Sequence, residues 1–167
     1  MSRNCVSAVV AAIVLVPATL STAPAWAATA TGSFQVSMTI EGSCSVASAT
    51  TLDFGSHATV ASNVDSSSTI GVQCTSATPY SIGLSAGQGS GATVSNRLLT
   101  SGGATIPYTI YRDSNHTQVW GVTNAVDTQG GTGNGGVQSF TVYGRVPPVA
   151  SPPAGAYSDT IAVTVTY

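Results

Sequence analysis

The chain has 167 residues, with four Arg and no Lys against six Asp and Glu, and only 6% of it is charged. A formal charge of −2 excludes nucleic-acid binding through a basic face and adsorption to anionic lipid. The surface must be built from Ser, Thr, Gly, Asn and Gln, which suits extracellular strands but keeps little charge in reserve against edge-to-edge association.

In chain order, MSRN carries one Arg, CVSAVVAAIVLV is a short apolar run, and the stretch closes on APAWA, with Ala25 and Ala27 in an A-x-A relation. This is the pattern of a secretory signal peptide over residues 1–27, cut after Ala27. The uninterrupted run from Cys5 to Val16 is too short for a membrane anchor, which needs about 20 residues. Cys5 lacks the Leu-x-Gly/Ala setting of a lipoprotein signal. Removing 27 of 167 residues leaves 140, with a formal charge of −3 because Arg3 departs. That is one domain of ordinary size, with room for a core. Cys44 and Cys74 remain, and in an oxidising compartment a disulfide is the expectation. Closing a loop of about 30 residues contributes about 3.5 kcal/mol in the chain-entropy account. A metal or redox pair is the rival reading; there is no C-x-x-C, and only His57 and His116 add soft ligands.

The mature part reads as strands. Sustained helical spacing is missing, and short runs of period 2 recur between turn residues, the mark of an all-β sandwich or barrel. Phe34, Val36, Met38 and Ile40 alternate with polar residues in an opening strand, which Cys44 to Val46 continues or follows after Gly42. TTLDFG is a short strand with Leu52 and Phe54 on one face, and SHATVASNVDSS is a polar loop. STIGVQC places Ile70, Val72 and Cys74 on one face. PYSIGLSAG does the same with Tyr80, Ile82 and Leu84, and the two runs read as a hairpin or a pair joined by a short bend. RLLTSGGAT holds a brief apolar pair, Leu98 and Leu99. TIPYTIYRD presents Ile106, Tyr108 and Ile110, with Pro107 at an edge or entry position. TQVWG is a short strand, QGGTGNGG is too glycine-rich to hold an element, and VQSFTVYGRV is a strand. VPPVASPPAG is an extended polyproline-like connection. The closing run, YSDTIAVTVTY, has Tyr157, Ile161, Val163, Val165 and Tyr167 on one face and ends at the carboxyl terminus, where an immunoglobulin-like sandwich normally has a further strand.

Catalytic signals are weak. A nucleophile triad would need His57 or His116 as base, but both stand in polar contexts and read as solvated loop histidines, and no nucleophile elbow is present. A glycosidase pair would draw on Glu41, Asp53, Asp65, Asp113, Asp127 and Asp159, which all sit beside turn or strand-end residues, where carboxylates bond the backbone. Asp159 reads as a strand-entrance carboxylate accepting from backbone N–H groups or from an Arg such as Arg145. Trp120 alternates with Val119 and reads as core rather than as a sugar platform. The chain is expected to be no enzyme and to carry no cofactor or metal.

LDFG, IGVQCTSATPYSIGLSAG, IPYTIYRD, VWG, YGRVP and AGAYSDTIAVTVTY occur in this order. Together they resemble the spore coat protein U domain family, which includes subunits of archaic chaperone–usher pili, across essentially the whole mature chain. Both cysteines fall where that family has its disulfide. The spacing from Gly155 to Tyr167 resembles that of pilin last strands recognised by a periplasmic chaperone. The resemblance implies an incomplete immunoglobulin-like β-sandwich of pilin type whose last strand is missing and is supplied by donor-strand exchange. Residues 28–41 would be the donor segment, beginning at Ala30, with Phe34, Val36, Met38 and Ile40 as its apolar face, and residues 42–167 the domain. The partners would be identical or related pilus subunits, a periplasmic chaperone and an outer-membrane usher. The mature chain would pass through the periplasm to an extracellular pilus or the cell surface without inserting in the membrane, and serve adhesion and biofilm formation. The alternatives are a spore or cell-surface coat protein of the same fold and a secreted carbohydrate-binding module, with a secreted hydrolase last.

The leader pattern predicts that protein recovered from an exporting host begins at Ala28. Intact-mass measurement tests this, and a mass that retains residues 1–27 would contradict it.

Overall fold

The computed structural model describes residues 26–167; most of the expected leader lies outside the described residues. These residues contain strands and turns but no helix, and none is long and apolar enough to cross a membrane as a helix. The chain divides between Met38 and Thr39 into two units. Within the first, residues 26–38 form no regular element, and Phe34, Val36 and Met38 are exposed. The expected opening strand, Phe34 to Ile40, is therefore not formed. Its alternation is intact, but a strand without a neighbour leaves its backbone groups to water and is not stable by itself.

The second unit is all-β. Its strands are β1 (Cys44–Ala49), β2 (Val64–Cys74), β3 (Pro79–Leu84), β4 (Arg97–Ser101), β5 (Ala104–Tyr111), β6 (Gln129–Thr132), β7 (Val137–Val146) and β8 (Val163–Thr166). They form two sheets, ordered β1-β2-β7-β5-β4 and β6-β3-β8, with every pairing antiparallel. The period-2 faces meet between them: Ile70, Val72 and Cys74 from β2, Tyr80, Ile82 and Leu84 from β3, Ile106, Tyr108 and Ile110 from β5, and Val142 and Val146 from β7 are buried together. Trp120 is 1% exposed. Its indole N–H donates to the Ile82 carbonyl at 2.8 Å, so it is core as its alternation with Val119 implied.

Several sequence expectations are corrected. The runs at β2 and β3 are not a hairpin, because they lie in opposite sheets. The turn after Cys74, closed by Thr78 N–H donating to Thr75 O at 3.1 Å, carries the chain across the sandwich. Two runs that each have one fully apolar face are covered best by facing one another. QGGTGNGG does hold an element: β6 pairs with β3, and a side chain at Gly131 would meet the Tyr80 ring at 2.6 Å, so glycine is what lets the two strands close over that ring. TQVWG makes only one bridge, Tyr111 to Val119. TTLDFG is not a strand, yet Leu52 and Phe54 pack on the core. Both sit over Gly144 of β7, where an added Cβ would lie 2.6 Å from Leu52 and 2.9 Å from Phe54. Pro107 lies opposite Leu98 of β4, outside the part of β5 that pairs with β7, where its missing N–H costs the sheet nothing.

Cys44 and Cys74 are directly opposite on β1 and β2 and are joined as a disulfide. The bond ties the first strand of the sheet to the core. Reduction should destabilise the domain by about 3.5 kcal/mol, read as a lower denaturation midpoint in urea; an unchanged midpoint would remove the bond from the stability account.

Candidate strand-acceptor groove

The closing run is not one strand. Ser158 bridges to Thr100 of β4 in the first sheet, with backbone bonds of 2.9 and 3.1 Å. Four residues later Ala162 O accepts from Ser85 N–H at 3.0 Å, and β8 continues antiparallel to β3 in the second sheet. The run thus crosses from one sheet to the other at Asp159. Alternation persists through the crossing: Tyr157, Ile161, Val163 and Val165 pack against the core but stay only partly buried. The reason is topological. β8 ends the order of the second sheet and β1 ends that of the first. The two approach within 8 Å between Cα atoms without pairing. Among the described residues the far edge of each has no strand beside it.

A separate cleft of about 630 Å³ opens beside the crossing, between the 51–60 and 152–159 segments, with Leu52, Phe54, Leu99, Ile106, Pro153 and Tyr157 among its walls and no residue of β1 or β8. Phe54 meets Tyr108 edge to face, 6.0 Å between ring centres. Along the free edge of β8, the half-covered side chains of Ile161, Val163 and Val165 form an apolar trough, which can take an extended segment that offers both hydrogen bonds and alternate apolar side chains.

Two polar centres stand near this edge, Asp159 partly buried and Arg97 fully so. The Asp159 carboxylate accepts from Tyr108 Oη at 2.7 Å, Gln88 N–H at 2.8 Å and Thr160 N–H at 2.7 Å. Backbone acceptance was expected at this position; the tyrosine was not, and Arg145 pairs with Asp65 instead. Burial, then the bond to Asp159, pushes the Tyr108 phenol well above its ordinary value, so it remains a donor. Arg97, fully buried, donates to the carbonyls of Ser85 at 2.8 Å, Val94 at 2.6 Å, Leu84 at 3.0 Å and Trp120 at 2.7 Å. Its guanidinium ties the β4 end of one sheet to the β3 end of the other. Burial lowers its pKa, and the four carbonyls offset that desolvation. Sequence reasoning missed Arg97; the available signal was an Arg placed directly before an apolar pair in a chain that keeps only three Arg after processing.

The remaining expected residues fall as follows. Gly155 is exposed beside Ser101, whose hydroxyl lies 2.7 Å from where a Cβ would be. Tyr167, beyond the end of β8, is 61% exposed, and Ile40 in the second unit is also exposed. Asp53, Asp113 and Asp127 accept from backbone N–H groups, the strand-end and turn role expected of them. His57 is exposed, its Nε2 2.7 Å from Phe54 O. His116 is the exception: expected in solvent, its side chain is 8% exposed. No group of three or more metal-ligating side chains occurs among the described residues.

The profile of the Spore Coat Protein U domain matches residues 30–164. The chain belongs to this family. It is 32% identical over 179 aligned positions to Protein U of Myxococcus xanthus, covering 98% of this chain and 99% of that protein. Its fold is similar to a chain in the crystal structure of the CsuC–CsuE chaperone–tip adhesion subunit pre-assembly complex from the archaic chaperone–usher Csu pili of Acinetobacter baumannii. The TM-score is 0.56 at 24% identity, over 77% of this chain and 40% of the length of that one. The spore coat protein U domain of this chain thus shares its fold with a chain of that complex.

Asp159→Ala should destabilise the domain by about 1–3 kcal/mol, because it strands the Tyr108 hydroxyl and the Gln88 N–H. Chemical denaturation measures this, and a change below a few tenths of a kcal/mol would show that water replaces the carboxylate without cost.

Proposed function

We propose that the protein is a non-enzymatic structural subunit of an extracellular pilus, completed by a β-strand from outside its own chain. The observation that carries this reading is the unpaired edge of β8, backed by the half-covered side chains of Tyr157, Ile161, Val163 and Val165. The donor is the segment beginning at Ala30, whose Phe34, Val36, Met38 and Ile40 are exposed and carry the alternation that such an edge accepts. Burying four side chains of this size gains a gross ~6–12 kcal/mol, and the backbone ladder fixes the register. Because donor and acceptor are different surfaces of each copy, the contact is head to tail and does not close, so it grows a fibre.

In this reading a periplasmic chaperone lends the strand first. The Gly155 to Tyr167 run is the part of the chain it holds, and an outer-membrane usher presides over replacement of the loan by the next subunit. The similarity to a chaperone–subunit complex of a chaperone–usher pilus supports the chaperone as partner. Attachment and biofilm formation are the roles proposed for the assembled fibre. The family's description and the likeness to Protein U favour a second reading, a coat protein of the same sandwich. Burial of Trp120 argues against the carbohydrate-binding reading, since the indole offers no exposed face for stacking.

Purified mature protein should give ladders on unheated denaturing gels. Removal of residues 28–38, or Val36→Asp, should leave monomer only. Ladders that persist in both variants, or their absence from the unaltered chain assembled with its chaperone and usher, would contradict strand donation.

A further inference from the structure

The chain enters the sandwich through residues 39–43, and the last of these are not free. β1 begins at Cys44, but its bonding to the β2 side runs one residue further back. Thr75 N–H donates to Ser43 O at 2.9 Å, Ser43 N–H donates to Thr75 Oγ1 at 3.2 Å, and the same hydroxyl donates to Ser43 O at 3.3 Å. Before it, the backbone of Gly42 passes close over Thr78, where an added Cβ would lie 3.0 Å from Oγ1 and 3.1 Å from Cγ2. Thr75 and Thr78 are the ends of a turn that is itself braced. Thr78 N–H donates to Thr75 O at 3.1 Å, Ala77 N–H to Gly133 O at 2.9 Å and Gly133 N–H to Thr78 O at 2.8 Å. The disulfide holds the adjoining pair, Cys44 and Cys74. Ser43 therefore continues the line of β1 against a fixed turn.

We infer, on the reading of residues 28–41 as a donor strand, that Gly42 and Ser43 form an exit clamp which denies the chain the turn needed to insert its own arm and so commits the arm to a second copy. Self-insertion would fold the arm back on β1 as a hairpin, filling the seam between the free edges of β1 and β8. Directly opposed residues of a hairpin share a face, and Cys44 is turned to the core with Cys74. To put Phe34, Val36, Met38 and Ile40 on the core face, the hairpin must pair them with even-numbered residues. Its loop then has an odd number of residues, and the shortest that keeps all four in the strand is 41–43, with Ile40 opposite Cys44. That loop needs Ser43 to bend out of line, which breaks all three of its bonds to Thr75. With the clamp closed, the turn must form earlier, at 39–41. Ile40 is then lost to the loop, and Met38 falls opposite Gly42, before β1 begins. The arm keeps its full apolar face only for a groove on another molecule. Thr75 is thus a positioning residue for donation, though it touches no partner.

The test compares the unaltered mature chain with Ser43→Gly, Thr75→Val and the double variant, each refolded as monomer and then concentrated. Thr75→Val removes the hydroxyl bonds, and Ser43→Gly supplies the residue that a three-residue hairpin loop favours at its last position. The double variant should form several-fold fewer ladders on unheated denaturing gels. Amide exchange at residues 34–40 of its monomer should slow several-fold, and its melting temperature should rise by a few degrees over that of the unaltered monomer. A contact that only supported the fold would lower the melting temperature and leave those amides unprotected. Adding Val36→Asp to the double variant should abolish the new protection. Ladders undiminished in the double variant, with residues 34–40 unprotected in its monomer, would overturn the clamp, as would ladders lost together with a lower melting temperature. Ladders missing from the unaltered chain would instead sink strand donation itself, and the clamp with it.

Discussion

A β-strand with hydrogen-bond partners on one side only, in front of a half-covered apolar core, is the constraint on which this domain turns. β8 pairs with β3 and offers its other edge to solvent, while Ile161, Val163 and Val165 behind it are only partly buried. An edge of this kind is a template for another chain, and the surface carries too little charge to discourage one. The rest of the sandwich is arranged so that this edge holds its shape without an outer neighbour. The disulfide between Cys44 and Cys74 fixes β1, across the gap from β8. Arg97 joins the two sheets through four carbonyls, and Trp120 joins its loop to β3 through Ile82. Asp159 pins the point where the last run changes sheets.

Two of these ties are polar, Arg97 fully buried and Asp159 partly, which is unusual for so neutral a chain. Hydrophobic burial is non-directional and by itself would let a small sandwich with an unfilled seam slump shut. A guanidinium carried by β4 and satisfied by the Leu84 carbonyl of β3 and three loop carbonyls, and a partly buried carboxylate shared by a core phenol and two backbone N–H groups, are directional and costly to break. They account for how β8 stays in register with β3 while its inward side chains remain partly uncovered. On this view the trough is kept open by a polar frame, and an incoming strand meets a surface already organised for it.

Much of the architecture was legible in period-2 patterning. The inward residues of β2, β3 and β5 are those the alternation names, because burial on one face leaves that signature directly in the sequence. What failed was pairing. Alternation says which face is buried but not which strand lies alongside, so β2 and β3 read as a hairpin or as a pair joined by a short bend, and it is the bend that carries the chain across the core. Glycine misled at β6, where composition argued for a loop and the Tyr80 ring required the space. The closing run was visible as a set of alternating residues but not as a crossing at Asp159, since the break is made by a distant tyrosine and a loop amide. Arg97 left only the weak signal of its place before an apolar pair, and the burial of His116 depends on Tyr143 of β7 as well as on nearby Tyr111. Within the candidate site, the alternation names Val163 and Val165 behind the free edge of β8, whereas the places of Leu52, Ile106 and Pro153 in the cleft wall depend on the three-dimensional path.

The central claim is that the outer edge of β8 is vacant in one copy and filled by residues from another. Amide hydrogen exchange of residues 161–167, compared between monomer and polymer of the mature chain, tests it most directly. The account predicts that the amides pointing away from β3 exchange rapidly in the monomer and become strongly protected in the polymer, together with those of residues 34–40. Equal protection of both segments in the monomer and the polymer would contradict it.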